Sequence, residues 1–176
     1  ALAMNFDEIS MNIFDGVGRA SVLPILTATS AIQELYYKPL IPFLEEFELD
    51  LGDGTTVKPF DFEYAHRMAA TLGIEGTDDE LTDMFGIGCW KYDPEAAEKL
   101  LTKAGLDGEE FVINLTYLAD TEAQAGRGVQ AAYDQLTKFG LKCNISSESS
   151  STWDTNGATS EFEIAGYWPT GGITKD

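Results

Sequence analysis

The sequence predicts an α/β fold: a small mixed or mostly parallel sheet flanked by helices. Two observations carry this most strongly. Residues 111–118 alternate apolar and polar, with Phe111, Ile113, Leu115 and Tyr117 on one face, and alternation of period two is the mark of a half-buried strand. A helical pattern follows, with Ala125, Val129, Tyr133, Leu136 and Phe139 at three- and four-residue spacing, ended by Gly140. Leu141, Cys143 and Ile145 then alternate again. A strand, a helix and a strand joined by short connections form a βαβ unit, so these two strands are expected to be parallel. The third observation is a well-signalled helix before them. Asp93 can cap it, Pro94 suits its first position and Gly105 its C′ position.

The remaining elements follow in chain order. Residues 1–15 read as a helix already under way at Ala1, with Leu2, Phe6, Ile9, Ile13 and Phe14 on one side and Gly16 and Gly18 ending it. The absence of a capping residue ahead of Ala1 reads as a chain cut from a longer protein. A loop follows to Pro24, and Ser30 can cap a short helix carrying Ile32, Leu35 and Tyr36 that Pro39 stops. Residues 47–58 alternate on both sides of Gly52-Asp53-Gly54, a hairpin signal. Asp50 and Asp53 lack the spacing of a calcium loop and read as turn residues. Phe60 to Leu72 reads as a helix with Phe60, Tyr64, Met68 and Leu72 inward and His66 and Arg67 outward; Thr77 can cap another over 78–85. Ala97, Leu100, Leu101 and Ala104 form the expected apolar face of the Asp93-capped helix. A turn-rich stretch over 146–160 leads to a last strand, Phe162 to Trp168. One domain over 1–176 is expected, with 30–88 an elaboration on it.

Charge narrows the partners. The chain of 176 residues holds 30 acidic and 11 basic residues, a formal net charge of -19. Such a surface repels phosphate backbones and anionic lipid, so nucleic acid is not an expected partner. No apolar run reaches the length of a membrane-spanning helix, and no signal-peptide pattern opens the chain. Cys89 and Cys143 are far apart and outside any metal-type cluster, and His66 is the single histidine. Two separate thiols are expected rather than a bridge, and no metal or cofactor is implied.

The familiar catalytic motifs are also missing. The pairs Gly16/Gly18 and Gly126/Gly128 do not fit a phosphate-binding glycine loop, and no G-x-S-x-G elbow occurs. A nucleophile would have to be Cys89 or recruit His66, and nothing beside Cys89 in sequence would lower its pKa. The expectation is a protein that is not an enzyme.

Three segments in order resemble one family. Ala1-Leu2-Ala3-Met4-Asn5-Phe6-Asp7-Glu8 is similar to a helix of the family 5, oligopeptide-type solute-binding proteins of ABC importers, with Glu8 where that family usually has Arg. Trp90-Lys91-Tyr92-Asp93-Pro94-Glu95 through Leu100-Leu101 to Ala104-Gly105 resembles the family's W-x-YDPE…LL…AG helix and is the most specific match. Then come a strand, a helix ending Gly140-Leu141-Lys142, a strand, Trp153, and Glu161 to Trp168, which is similar to a strand ending in Gly-Trp. The resemblance covers residues 1–27 and 88–170. It implies a periplasmic-binding-protein-like lobe, the C-terminal one of two. Such a lobe would close with an N-terminal lobe on a small solute, an oligopeptide or oligosaccharide, and deliver it to an ABC permease. It also implies an extracytoplasmic location, in the periplasm or lipid-anchored on the outer face of the membrane.

The resemblance places candidate ligand contacts in the turn after that last strand. Tyr167 and Trp168 suit stacking on a sugar or packing on peptide side chains, and alternation sends them to opposite faces. Thr170 stands about where the family carries an Asp for a peptide's ammonium. A hydroxyl cannot make that charge-assisted bond, so another acid such as Asp176 would serve, or the ligand lacks a free amino group. Trp153, in the polar loop before the last strand, is a core lid or a cleft contact. Arg19 in the glycine-rich loop is a candidate for an anionic ligand group or a structural ion pair.

Overall fold

The computed structural model describes residues 1–20, 34–35, 38–106, 111–119, 123–152, 155 and 164–166. It is a mixed α/β fold, with helices and three small sheets among the described residues. Contacts divide the chain into two compact units, Ala1–Glu109 and Glu110–Asp176.

In the first unit, α1 spans Phe6–Phe14. The expected helix start is corrected here: Ala1 to Met4 form a turn, closed by Met4 N–H donating to Ala1 O at 2.9 Å. Asn5 then caps α1 by accepting from the Glu8 N–H. Asp15 and Gly16 take left-handed φ values of 52° and 78° and end the helix, as Gly16 can without strain. A short 3₁₀ turn, Lys38–Leu40, runs into α2, Ile41–Glu46, which carries Pro42 in its first turn. The short helix expected from Ser30 lies largely outside the described residues.

The hairpin forms as expected. Strand β1, Leu49–Asp50, pairs antiparallel with β2, Thr56–Val57. Its acids do turn work, since Asp50 accepts from Gly52 N–H at 2.8 Å and Asp53 from Thr55 N–H at 2.9 Å. Lys103 and Lys99 then hold Asp50 and Asp53 at 2.9 and 2.8 Å.

The helix expected from Phe60 begins later. Phe60–Asp61 is a strand, β3, pairing antiparallel with β4, Cys89–Trp90, and α3 spans Tyr64–Leu72. Long-range pairing with residues near 90 overrides the local helical spacing there. Helix α4, Asp78–Phe85, carries the full capping box of Thr77 and Glu80. Helix α5, Pro94–Lys103, has Asp93 as N-cap, accepting from Ala96 N–H at 3.0 Å. Ala97 and Leu100 of the expected face pack on the core and Leu101 is half-buried, but Ala96 is the buried residue and Ala104 is exposed.

Two apolar clusters hold this unit. Tyr64, Ala65, Met68, Ala69, Leu81, Phe85 and Cys89 form one, with Phe6 and Met11 of α1 packed against it. The 60–89 stretch therefore supplies most of this core. Leu2, Leu51, Val57 and Ala96 form the other, and Asp93 N–H donates to Leu2 O at 2.9 Å. The first two family-like segments thus pack on one another.

The second unit is the βαβ arrangement the alternation predicts. Strand β5, Val112–Leu118, pairs in parallel with β6, Lys142–Glu148, from Val112↔Lys142 to Leu118↔Glu148. Helix α6, Ala123–Phe139, packs on both strands and buries Val129 and Leu136. Leu115, fully buried at the middle of β5, is the centre of the sheet's apolar face. Strand β7, Ile164–Gly166, lies on the other side of β5 and is also parallel.

Candidate functional site

The three-stranded sheet has the order β6-β5-β7. The chain leaves β5 for a neighbour on one side and comes back to a neighbour on the other. Ligands of open α/β sheets bind outside the carboxyl ends of the strands where the strand order reverses. In this unit that position lies between β5 and β7.

The residues around it can be placed from the register. Tyr117 stands opposite Gly166, so both strands reach the carboxyl edge together. On the far side Ala119 N–H donates to Glu148 O at 2.8 Å and carries the β5–β6 pairing one step past the strands. The beginning of α6 is held close to the same edge. A Cβ on Gly126 would meet Tyr117 Cε2 at 3.2 Å, so glycine allows the helix to lie against that ring.

Of the residues singled out from sequence, Tyr167, Trp168, Thr170 and Trp153 lie outside the described residues. Tyr167 follows directly on Gly166, the last residue of β7. Arg19 is described, exposed, and belongs to the first unit. Its segment is fixed by backbone bonds: Ala20 N–H donates to Phe85 O at 2.9 Å, and the Tyr64 hydroxyl donates to Gly18 O at 3.3 Å.

The strongest electrostatic feature was not expected from sequence. The half-buried Arg67 guanidinium bonds Asp7 through Nε and Nη2 at 2.8 and 2.9 Å, and Asp61 through Nη1 and Nη2 at 3.1 and 2.8 Å. The Asp7 bonds, followed by those of Asp61, raise its pKa above the ordinary arginine value against the cost of burial. All three guanidinium nitrogens contact carboxylates of α1 and β3, so the group acts as a clamp between elements. No spacing in the sequence announces it, because its partners lie 60 and 6 residues away.

Cys89, beside this clamp, is 2% exposed. Burial first, then the negative charges of Asp61 and Asp7, push its thiol up to about 12. At neutral pH it is a protonated core residue rather than a nucleophile. His66 is exposed on α3, with Nε2 3.7 Å from Asp78. Both cysteines are free thiols. Among the described residues no group of three or more His, Cys, Asp or Glu is arranged to hold a metal ion, and no helix is long and apolar enough to cross a membrane.

Comparison with family models, with curated proteins and with solved structures finds no match to this chain.

Proposed function

We propose that the chain is the ligand-binding lobe of a substrate-binding protein of an ABC importer. It captures oligopeptides reversibly in a cleft against a second, N-terminal lobe. The observation that supports this reading is the reversal of strand order between β5 and β7, with Gly166 at the carboxyl edge and Tyr167-Trp168-Pro169-Thr170 following it in sequence. The family-like order of segments supports it independently. Function on this reading is non-covalent: aromatic surface and a few polar groups hold the solute, and closure of the lobes removes it from water. The high thiol pKa of Cys89 and the exposed setting of His66 give a hydrolase or transferase reading little to work with. The permease partner and the extracytoplasmic location belong to the same proposal.

An oligosaccharide ligand is the second reading, favoured by one feature. The resemblance puts Thr170 about where the family has an Asp for a peptide ammonium, while Tyr167 and Trp168 suit a sugar face. Thermal unfolding of the two-lobed protein against short peptides and oligosaccharides separates the two. A ligand bound only by the folded state adds about 2.7 kcal/mol at a hundredfold excess over Kd. Stabilisation by peptides supports the first reading and stabilisation by sugars alone the second. No stabilisation by either removes both.

A further inference from the structure

The chain has five asparagines, and two of them open the pattern Asn-x-Ser/Thr: Asn114-Leu115-Thr116 and Asn144-Ile145-Ser146. Those two are the pair that the fold sets side by side. In the parallel register of β5 and β6, Asn114 stands opposite Asn144 and Thr116 opposite Ser146. Alternation along a strand puts each asparagine on the same face as its hydroxyl residue. That face is turned away from the fully buried Leu115. Asn114, Asn144 and Ser146 are exposed, and Thr116 is half-buried.

Asn-x-Ser/Thr is the acceptor pattern for a sugar on the asparagine amide, at the surface of proteins outside the cytoplasm. The two copies differ in how well they can serve. Strand β5 is flanked by β6 and β7, whereas β6 has a neighbour on one side only among the described residues. On β6 both the asparagine and the hydroxyl residue are exposed. Asn144 Nδ2 also donates to Asn114 Oδ1 at 3.0 Å. An amide nitrogen carries two hydrogens, so attachment of a sugar uses one and leaves one for this bond. Adjacent strands lie about 4.8 Å apart, and a second sugar on Asn114 would crowd the first.

We propose that Asn144 is an N-glycosylation site and that Asn114 positions the linkage through its side-chain oxygen. The donor is an oligosaccharide carried on a lipid phosphate. Its bond from the anomeric carbon to the phosphate oxygen breaks, and the phosphate keeps the electron pair. A bond from that carbon to Asn144 Nδ2 forms, and one Nδ2 proton passes to a base of the transferring enzyme. This inference rests on the extracytoplasmic location proposed above.

The test is peptide mass spectrometry on the protein isolated from its own cells. Trypsin separates the two sites, into peptides 104–127 and 143–175. The expected result is a sugar mass on 143–175, lost in Asn144→Gln and in Ser146→Ala and kept in Asn114→Asp, which retains the accepting oxygen. Ser146 is exposed, so its variant keeps the fold. A bare 143–175 peptide, a sugar on 104–127 instead, or a sugar that survives Ser146→Ala would overturn the inference. The last result would assign the sugar to another hydroxyl of the same peptide. Protease added to spheroplasts reads the location separately. A chain open to the protease with Asn144 bare overturns the glycosylation and leaves the location standing; a chain shielded from it overturns both.

Discussion

The Arg67 guanidinium grips the Asp7 carboxylate through two nitrogens, at 2.8 and 2.9 Å, and so ties α3 to the first turn of α1. Asp61 takes the rest of the fork and adds β3. Replacing Arg67 with Ala leaves two carboxylates facing each other. Hydrogen bonds to charged groups are worth about 1.5–3 kcal/mol when buried. Arg67 is 41% exposed, so solvent discounts that, and the expected loss is about 2 kcal/mol. Arg67→Lys should lose about half as much, because an ammonium keeps the charge without the fork. Urea unfolding measures both; a loss for Arg67→Ala within about 0.5 kcal/mol of zero, the usual range for surface changes, would show the clamp to be ornamental.

The hairpin–α5 contact should respond to acid. Bonds from Lys99 and Thr55 hold the Asp53 carboxyl below its ordinary range, and the Gly52 N–H and Lys103 do the same for Asp50. A carboxylate with a lowered folded pKa contributes stability above its unfolded pKa, near 4, and loses it as pH falls through the folded value. Stability should therefore drop below about pH 4, and less steeply in an Asp50→Asn/Asp53→Asn double variant. Identical slopes from pH 4 to pH 2 in the two proteins would deny the hairpin this role.

The two thiols should differ in reactivity. Cys89 is 2% exposed and its pKa is pushed up to about 12, whereas Cys143 is half-buried with a pKa raised by a smaller burial. An aromatic disulfide reagent at pH 8 should label Cys143 in the folded protein and Cys89 only on unfolding. Prompt labelling of Cys89 under native conditions would contradict the packing of Tyr64, Met68 and Phe85 around it.

Leu115 should be the most costly single truncation in the second unit. It is fully buried on β5 beneath α6, and Leu→Ala at such sites costs about 2–5 kcal/mol. Hydrogen exchange should accelerate in β5, β6 and α6 of Leu115→Ala. Exchange rates in those elements matching the parent would mean that the sheet's apolar face does not depend on this side chain.

Signals carried by neighbours in sequence were legible. The caps at Thr77 and Asp93, the Gly52-Asp53-Gly54 turn and the parallel pairing of 112–118 with 142–148 all rest on local spacing. Features that depend on distant partners were not. Phe60 and Asp61 read as helix because Phe60, Tyr64 and Met68 share its spacing, yet Cys89 and Trp90 draw them into a ladder. The start of α1 was misplaced because Asn5 sits inside an apolar run and its capping bond to Glu8 leaves no pattern. Arg67 gave no sign of its two carboxylates for the same reason. Of the candidate site residues only Arg19 falls among the described residues, so the strand order, rather than side-chain geometry, carries the site.

The most direct test of the ligand-binding reading is calorimetric titration of short peptides into the two-lobed protein and into the 176-residue chain, side by side. The expected result is binding at micromolar Kd or tighter with both lobes and weak or undetectable heat with the single chain, because closure buries a ligand from two sides. In the two-lobed protein Trp168→Ala should weaken that binding by about tenfold or more, as loss of an aromatic anchor does. Micromolar binding by the single chain would contradict the cleft, and no binding of peptide or oligosaccharide by the two-lobed protein would contradict the function.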